Sequence, residues 1–320
     1  MTLATAGLVC AHHHLYSALA RYLPGPAREP QDFVEILELM WWRLDQALTL
    51  DDVYWSAKLA ALDALEAGCT SIIDHHESPN AIEGSLDEIV RACAEVGVRV
   101  SCAYGVTDRH GAEGAQRGLA ENERFLKAGG RGLVGVHAAF TCTDETLEAA
   151  AGLAADLDVG VHIHVAESEV DAGAADRLRH LTNDDWLLVH GVHLPDDHGL
   201  AGTIVHNPRS NTANGVGYAR PARFANRVVL GTDGIDADVV TEMHAAAELC
   251  GDEGLARTWL TNGYEVFPEA RDDRVLQGDL ALSVIVDGEV VLHEGRATRV
   301  DAAEIRAKAA EKGAALAARW

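Results

Sequence analysis

Short apolar, β-rich runs recur eight times along this chain, and between most of them lie segments whose apolar residues return every three or four positions. The runs are GLVCAH (7–12), CTSIIDHH (69–76), VRVSCAYG (98–105), RGLVGVHAAF (131–140), VGVHIHVAE (159–167), DWLLVHG (185–191), GTIVHN (202–207) and RVVLGTDG (227–234). Segments such as DDVYWSAKLAALDALEAG (51–68) and GSLDEIVRACAEVG (84–97) carry the helical period and close on a glycine. Strand alternating with helix in this way predicts an α/β chain, a (β/α)8 TIM-like barrel, because each parallel strand needs a helical crossover to return beside its predecessor. The 320 residues hold one such barrel with additions, and we expect it over residues 1–270.

From Leu276 the pattern changes. VLQGDLALSVIVDGEVVLHEGRATRV places Asp287-Gly288 between two β-rich runs, a tight-hairpin signal. The last segment reads as a helix opened by Asp301. Residues 271–320 are therefore expected to form a reduced C-terminal β-hairpin, the remnant of a small sandwich domain, plus a helix. An elaborated connection, PGPAREP (24–30) followed by DFVEILELMWWRLDQAL, reads either as a lid or as a loop with Trp41 and Trp42 in the core.

Active sites of such barrels sit at the carboxyl ends of the strands. Seven of the eight runs carry a histidine or aspartate there: His12 and His14, Asp74 with His75 and His76, His137, His162 and His164, His190, His206, and Asp233. In the triplet His12-His13-His14, strand alternation sends His12 and His14 to one face and His13 to the other. Two imidazoles at i and i+2 can chelate one cation, and the convergence of the rest on one end of one barrel favours a metal site over scattered, individually satisfied histidines. His162 faces the same way as His164 and competes with it as a ligand or serves it as a hydrogen-bonded neighbour.

Charge narrows the partners. Fifty acidic residues against 26 basic ones, four of them lysine, give a net charge of -24. Nucleic acid and anionic membranes demand the opposite balance, so neither is expected as a partner. An acidic, lysine-poor surface suits solubility in high salt and points to a halophilic source. No run approaches the roughly 20 apolar residues of a membrane span and no basic leader is visible, so we expect a cytoplasmic protein. The six cysteines show no C-x-x-C spacing and read as buried thiols.

The ordered set GLVCAHHHLYS, HIHVAE, LVHGVHL, VHNPRSN and GTDG resembles the metal-dependent amidohydrolase superfamily, in its branch of deaminase-like hydrolases, and is most similar to SsnA-like aminohydrolases through FVEILELMWWRLDQALTLDDVYWSA and DHHESPNAIEGSLD. The resemblance implies that His12, His14, His164 and Asp233 bind one divalent metal ion, zinc with iron as the alternative. It also implies that His190 holds and polarises the attacking water and stabilises the oxyanion, that Asp233 takes the water's proton, and that Glu167 shuttles protons. The fourth run offers His137 where two-metal members place a lysine, hence a single ion. His137, His206, Asn207, Arg209 and Asn211 are expected substrate contacts.

The implied activity is that of a metal-dependent aminohydrolase (deaminase) cleaving a C–N bond of a small heterocyclic amine. A cyclic amidase using the same site and a catalytically impaired metal-binding paralogue are the alternatives. The pattern departs from the family in three places. Eleven residues precede His12, with Ala6-Gly7 in place of Pro-Gly, so the hairpin is expected to lack partner strands and to need subunit contacts in a homo-oligomer. The stretch from Glu167 to His190 is short for a full helix and its loops. The family's Pro-Gly-x-x-Ala-Asp-Leu stretch is reduced to QGDLAL (277–282).

Overall fold

The computed structural model describes residues 3–277 and 282–320; most of QGDLAL lies outside them. The first strand, β1 (Leu3–Thr5), is followed by eight parallel strands: β2 (Leu8–His13), β3 (Cys69–His76), β4 (Arg99–Tyr104), β5 (Val134–Ala138), β6 (Val161–Val165), β7 (Leu187–His190), β8 (Thr203–His206) and β9 (Val228–Leu230). Strands β2 to β4 pair in sequence order, as do β5 to β9. Two seams close these sheets into a barrel. At the first, Leu133 N–H donates to Cys102 O at 3.1 Å and His137 N–H to Val106 O at 2.9 Å. At the second, the amides of Thr232 and Asp233 both donate to His12 O, at 3.0 and 3.1 Å.

Each seam closes on glycine because the backbones approach too closely for a side chain. A Cβ at Gly132 or Gly135 would lie 2.2 or 2.3 Å from the carbonyl oxygen of Cys102 or Tyr104, and one at Gly231 would lie 2.7 Å from His12 Cβ.

Val9, Ile73, Leu187, Val205 and Val229 come from five of the eight barrel strands and pack in one cluster with Phe267, so they fill the barrel interior. Around the outside, the helix Leu50–Glu66 starts in a capping box between Thr49 and Asp52. It buries Leu59, Leu62 and Leu65, each contributing roughly 2 kcal/mol.

The C-terminal part departs from an isolated hairpin. Four strands, β10 (Arg274–Gln277), β11 (Leu282–Val286), β12 (Glu289–His293) and β13 (Arg296–Ala297), form an antiparallel sheet whose outer partner is β1, with Leu3 opposite Gln277. The chain start thus supplies the strand that the sequence pattern was expected to lack. The Asp287-Gly288 turn does form, with φ of 51° and 80°, as a tight β-hairpin requires. Val275, Val284 and Val291 share a core with the barrel helices. The final helix, Ala302–Ala317, is capped by Asp301 and tied to the Leu50–Glu66 helix by Arg306, 2.9 Å from Asp63 and 2.5 Å from Glu66.

Between Glu167 and His190 only short helices form, the longest being Ala174–Leu178. All six cysteines are free, and five are buried. Among the described residues no helix is long and apolar enough to cross a membrane.

Candidate metal centre

The histidines at the ends of β2 and β6 meet inside the barrel mouth. Ligand atoms of His12, His14 and His164 lie within 4.8 Å of one another, as do those of His12, His190 and Asp233. Asp233 Oδ1 is 3.4 Å from His12 Nε2 and 3.1 Å from His14 Nε2, and His164 Nε2 is 3.3 Å from His14 Nε2.

The outer nitrogens show why these rings face inward. His14 Nδ1–H donates to His75 O at 2.7 Å and His164 Nδ1–H to His137 O at 2.6 Å, which in the neutral ring leaves a lone pair on each Nε2. His12 Nδ1 is 3.0 Å from His162 Nε2, and its own Nε2 is buried without a hydrogen-bond partner. His162 is thus the neighbour that orients His12. His13 points the other way, as alternation requires, and its Nδ1–H donates to Asp233 O. That contact braces a residue at φ 56°; His190 at φ 73° and Ala166 at φ 48° are also left-handed, so backbone strain gathers at this end of the barrel.

Burial, reinforced by neighbouring imidazoles, holds His12 and His164 well below the usual histidine range and keeps them neutral. Burial opposes charge on His14 too, but Asp233 outweighs it and raises His14 to about 9. Burial alone would raise Asp233; its contacts with His12 and His14 hold it well below the usual carboxylate range. Glu167 is pushed well above that range, first by burial and then by the charge on Asp233. Its Oε2 lies 3.5 Å from His190 Nε2. Three imidazoles, one of them with its buried Nε2 orphaned, and one carboxylate form a donor set that fits a divalent cation once His14 gives up its proton.

These groups open on a cavity of about 320 Å³. Phe33, Leu37, Trp41 and Trp42, from the long connection after β2, form an apolar wall of the cavity, and Trp41 also packs against the hydrophobic core. Of the five expected substrate contacts, only His137 lines the cavity. The other four are corrections. Asn211 Oδ1 accepts from His190 Nδ1 at 2.8 Å and holds the ring, and Asn207 Nδ2 stands 3.4 Å from the same nitrogen, so both face His190. Arg209 is consumed by Asp236, at 2.6 Å, and by the buried Glu242. His206 is fully buried beside Tyr218 and Trp259.

Several cavity residues escaped the sequence reading. Ser210 donates to Asp233 Oδ2, and Asn214 Nδ2 reaches Glu167 Oε1 at 3.5 Å. Glu77, one residue beyond β3, is 4% exposed and lines the cavity. Its signal was available: a carboxylate just past the carboxyl end of a barrel strand.

Fold and site together define a (β/α)8 barrel with a candidate cation centre at its mouth. The chain belongs to the amidohydrolase family, whose model matches residues 3–257. Members of that family bind a divalent metal. A 5-methylthioadenosine/S-adenosylhomocysteine deaminase of Desulforudis audaxviator is 31% identical over 278 residues, 77% of this chain and 61% of the relative. A 5'-deoxyadenosine deaminase of Methanopyrus kandleri is 31% identical over 237 residues, 65% of this chain and 53% of the relative. The chain thus spans about three fifths of the length of the curated relatives it matches. A zinc-bound adenosine deaminase from Xanthomonas campestris shares the fold, with a TM-score of 0.84 over 98% of this chain and 86% of its own at 20% identity. A triazine hydrolase from Arthrobacter aurescens gives 0.79 over 99% and 88%, also at 20% identity.

Proposed function

We propose that this protein is a metal-dependent aminohydrolase that releases ammonia from a small heterocyclic amine, with one zinc ion held by His12, His14, His164 and Asp233. The observation that carries the reading is the placement of Glu167, whose carboxyl is biased toward its protonated form, 3.5 Å from His190 on the wall of the cavity that the ligand set opens into. A metal-binding scaffold alone has no use for a buried acid there. The relatives named as deaminases of adenosine-derived compounds make an aminopurine the first substrate to test.

A divalent cation in this donor set supplies Lewis acidity, lowering the pKa of water toward about 7 so that hydroxide is available near neutral pH. Asp233, fixed by the Ser210 hydroxyl, accepts the proton that the water gives up. Glu167 donates its proton to the ring nitrogen next to the attacked carbon, takes up the proton of the hydroxyl added there and passes it to the departing amine, after which the proton held by Asp233 restores it. His190 donates from Nδ1 to Asn211, so its neutral ring presents a bare Nε2 that accepts a hydrogen bond from the water and aims it. The oxyanion role expected of His190 would need a donor at Nε2, which this tautomer lacks. The apolar wall of Phe33, Leu37 and Trp41 keeps bulk water away and suits a flat ring.

The test is ammonia release by zinc-loaded protein from adenosine, aminopyrimidines and aminotriazines. Release from at least one, abolished in Glu167→Gln with the metal retained, is the expected result. Absence of ammonia from every amine offered, by protein that holds zinc, would overturn the reading.

A further inference from the structure

The middle member of the His12-His13-His14 triplet belongs neither to the ligand set nor to the proton transfers above, yet it is only 3% exposed. Alternation on β2 turns it out of the barrel, toward the segment that follows β9. Asp233 lies in that segment, three residues beyond the last residue of β9, where the main chain makes one isolated bridge, His13 opposite Asp233, and no ladder follows it.

Both main-chain polar groups of Asp233 turn to β2. Its N–H donates to His12 O at 3.1 Å, and its C=O accepts from His13 Nδ1. A nitrogen that faces a carbonyl oxygen must carry its proton, whatever the charge of the ring. Asp233 O is the nearer of the two partners of that nitrogen, Thr232 Oγ1 standing at 3.5 Å. Among the described residues, His13 is the one side chain that donates to Asp233 O.

This contact has strain to hold. Asp233 sits at φ 56°, in the left-handed region where a Cβ crowds the backbone, and the residue there is not a glycine. Release of its carbonyl would let φ fall back toward negative values. Rotation about N–Cα would then swing the carboxylate away from His12 Nε2 and His14 Nε2, which stand 3.4 and 3.1 Å from Oδ1. Behind the His13 ring lies a small cavity of about 120 Å³, bordered also by Ser17, Arg21 and Asp63. Without the imidazole N–H, water from that side competes for the Asp233 carbonyl.

We propose that His13 is a positioning residue for the metal centre: its Nδ1–H fixes the Asp233 backbone in the left-handed turn and so aims the Asp233 carboxylate at His12 and His14. The triplet then acts as a unit, reaching one site from the two faces of one strand. The assignment rests on the proposed function only in taking Asp233 as a ligand.

The test separates the hydrogen bond from the packing of the ring. Asn places an amide Nδ2–H where His has Nδ1–H and leaves the rest of the ring's space empty, whereas Phe fills that space and has no donor. Zinc affinity of the parent, His13→Asn and His13→Phe proteins is measured by competition with a chelator of known affinity. His13→Phe should bind zinc about 10- to 100-fold more weakly than the parent, the range for losing an outer partner that orients a metal ligand, and His13→Asn should stay within about threefold. A role in packing alone predicts the reverse order. Parent-like affinity in His13→Phe, or a loss in His13→Asn as large as in His13→Phe, overturns the proposal, and a His13→Asn protein that does not fold counts as such a loss. Should His13→Phe not fold, His13→Leu is read in its place. Zinc bound equally by all three proteins would sink this assignment alone. A parent that takes up no zinc overturns it together with the proposed site, whereas the expected ranking without ammonia from any amine sinks the proposed reaction alone.

Discussion

Two buried polar clusters share one cavity, and they are completed in opposite ways. Around His12, His14 and His164 the protein ties down the outer nitrogens and leaves the inner ones converging on Asp233. Around Arg109 it supplies its own counter-charges, Asp45 and Glu77, and leaves only one carboxylate oxygen turned toward His137. On the proposed reading a cation completes the first cluster; the second is nearly complete by itself. A polar group left unsatisfied in a buried site costs stability, so its persistence marks the place where a ligand belongs. On that account the first cluster carries the chemistry, and the second shapes and holds the cavity.

The contrast can be broken from either side. The largest effect is expected at the catalytic wall, where Glu167→Gln should cut turnover about 100- to 10,000-fold while leaving the fold and metal content unchanged. Turnover within tenfold of the parent would remove Glu167 from the proton path. On the other wall, Arg109→Met should lower unfolding free energy by roughly 3–5 kcal/mol, because it strands two buried carboxylates, yet it should spare metal binding. Chemical denaturation and elemental analysis of the same preparation check both halves.

Smaller effects sharpen the picture. Asn211→Ala should cost about tenfold in turnover by freeing the His190 ring, with metal content intact. A proton count supplies the last check. His14 in the metal-free protein titrates at about 9, so at pH 7 it carries a proton that a cation must displace. Calorimetry in buffers of different ionisation enthalpy should show about one proton released per zinc bound at pH 7, with less released as pH rises through 9. No proton release at pH 7 would contradict the His14–Asp233 pairing.

The barrel was legible because its signal is local. Every one of the eight apolar runs overlaps a strand, and CTSIIDHH coincides with β3. The clustering of the histidines was legible for a related reason: strand ends fix which residues can reach the mouth, and histidine is conspicuous there. What escaped depends on distant pairing. β1 is three residues long and finds its partner at Arg274–Gln277, which no periodicity reveals. Arg209 has the look of a substrate contact until Asp236 and Glu242 are seen to occupy it. Asn207 caps and Asn211 lies within the short helix Pro208–Ala213 that follows β8, and both turn beneath His190. Glu77 was overlooked beside two histidines, although only its partner Arg109, 32 residues further on, shows that it is buried by design.

Metal content per chain tests the central claim most directly. Elemental analysis of untagged protein reconstituted with zinc should find about one ion per chain, and Asp233→Ala and His164→Ala should each lose it, whereas Arg109→Met should keep it. A chain that takes up no zinc, or that retains a full equivalent without Asp233, would contradict the account.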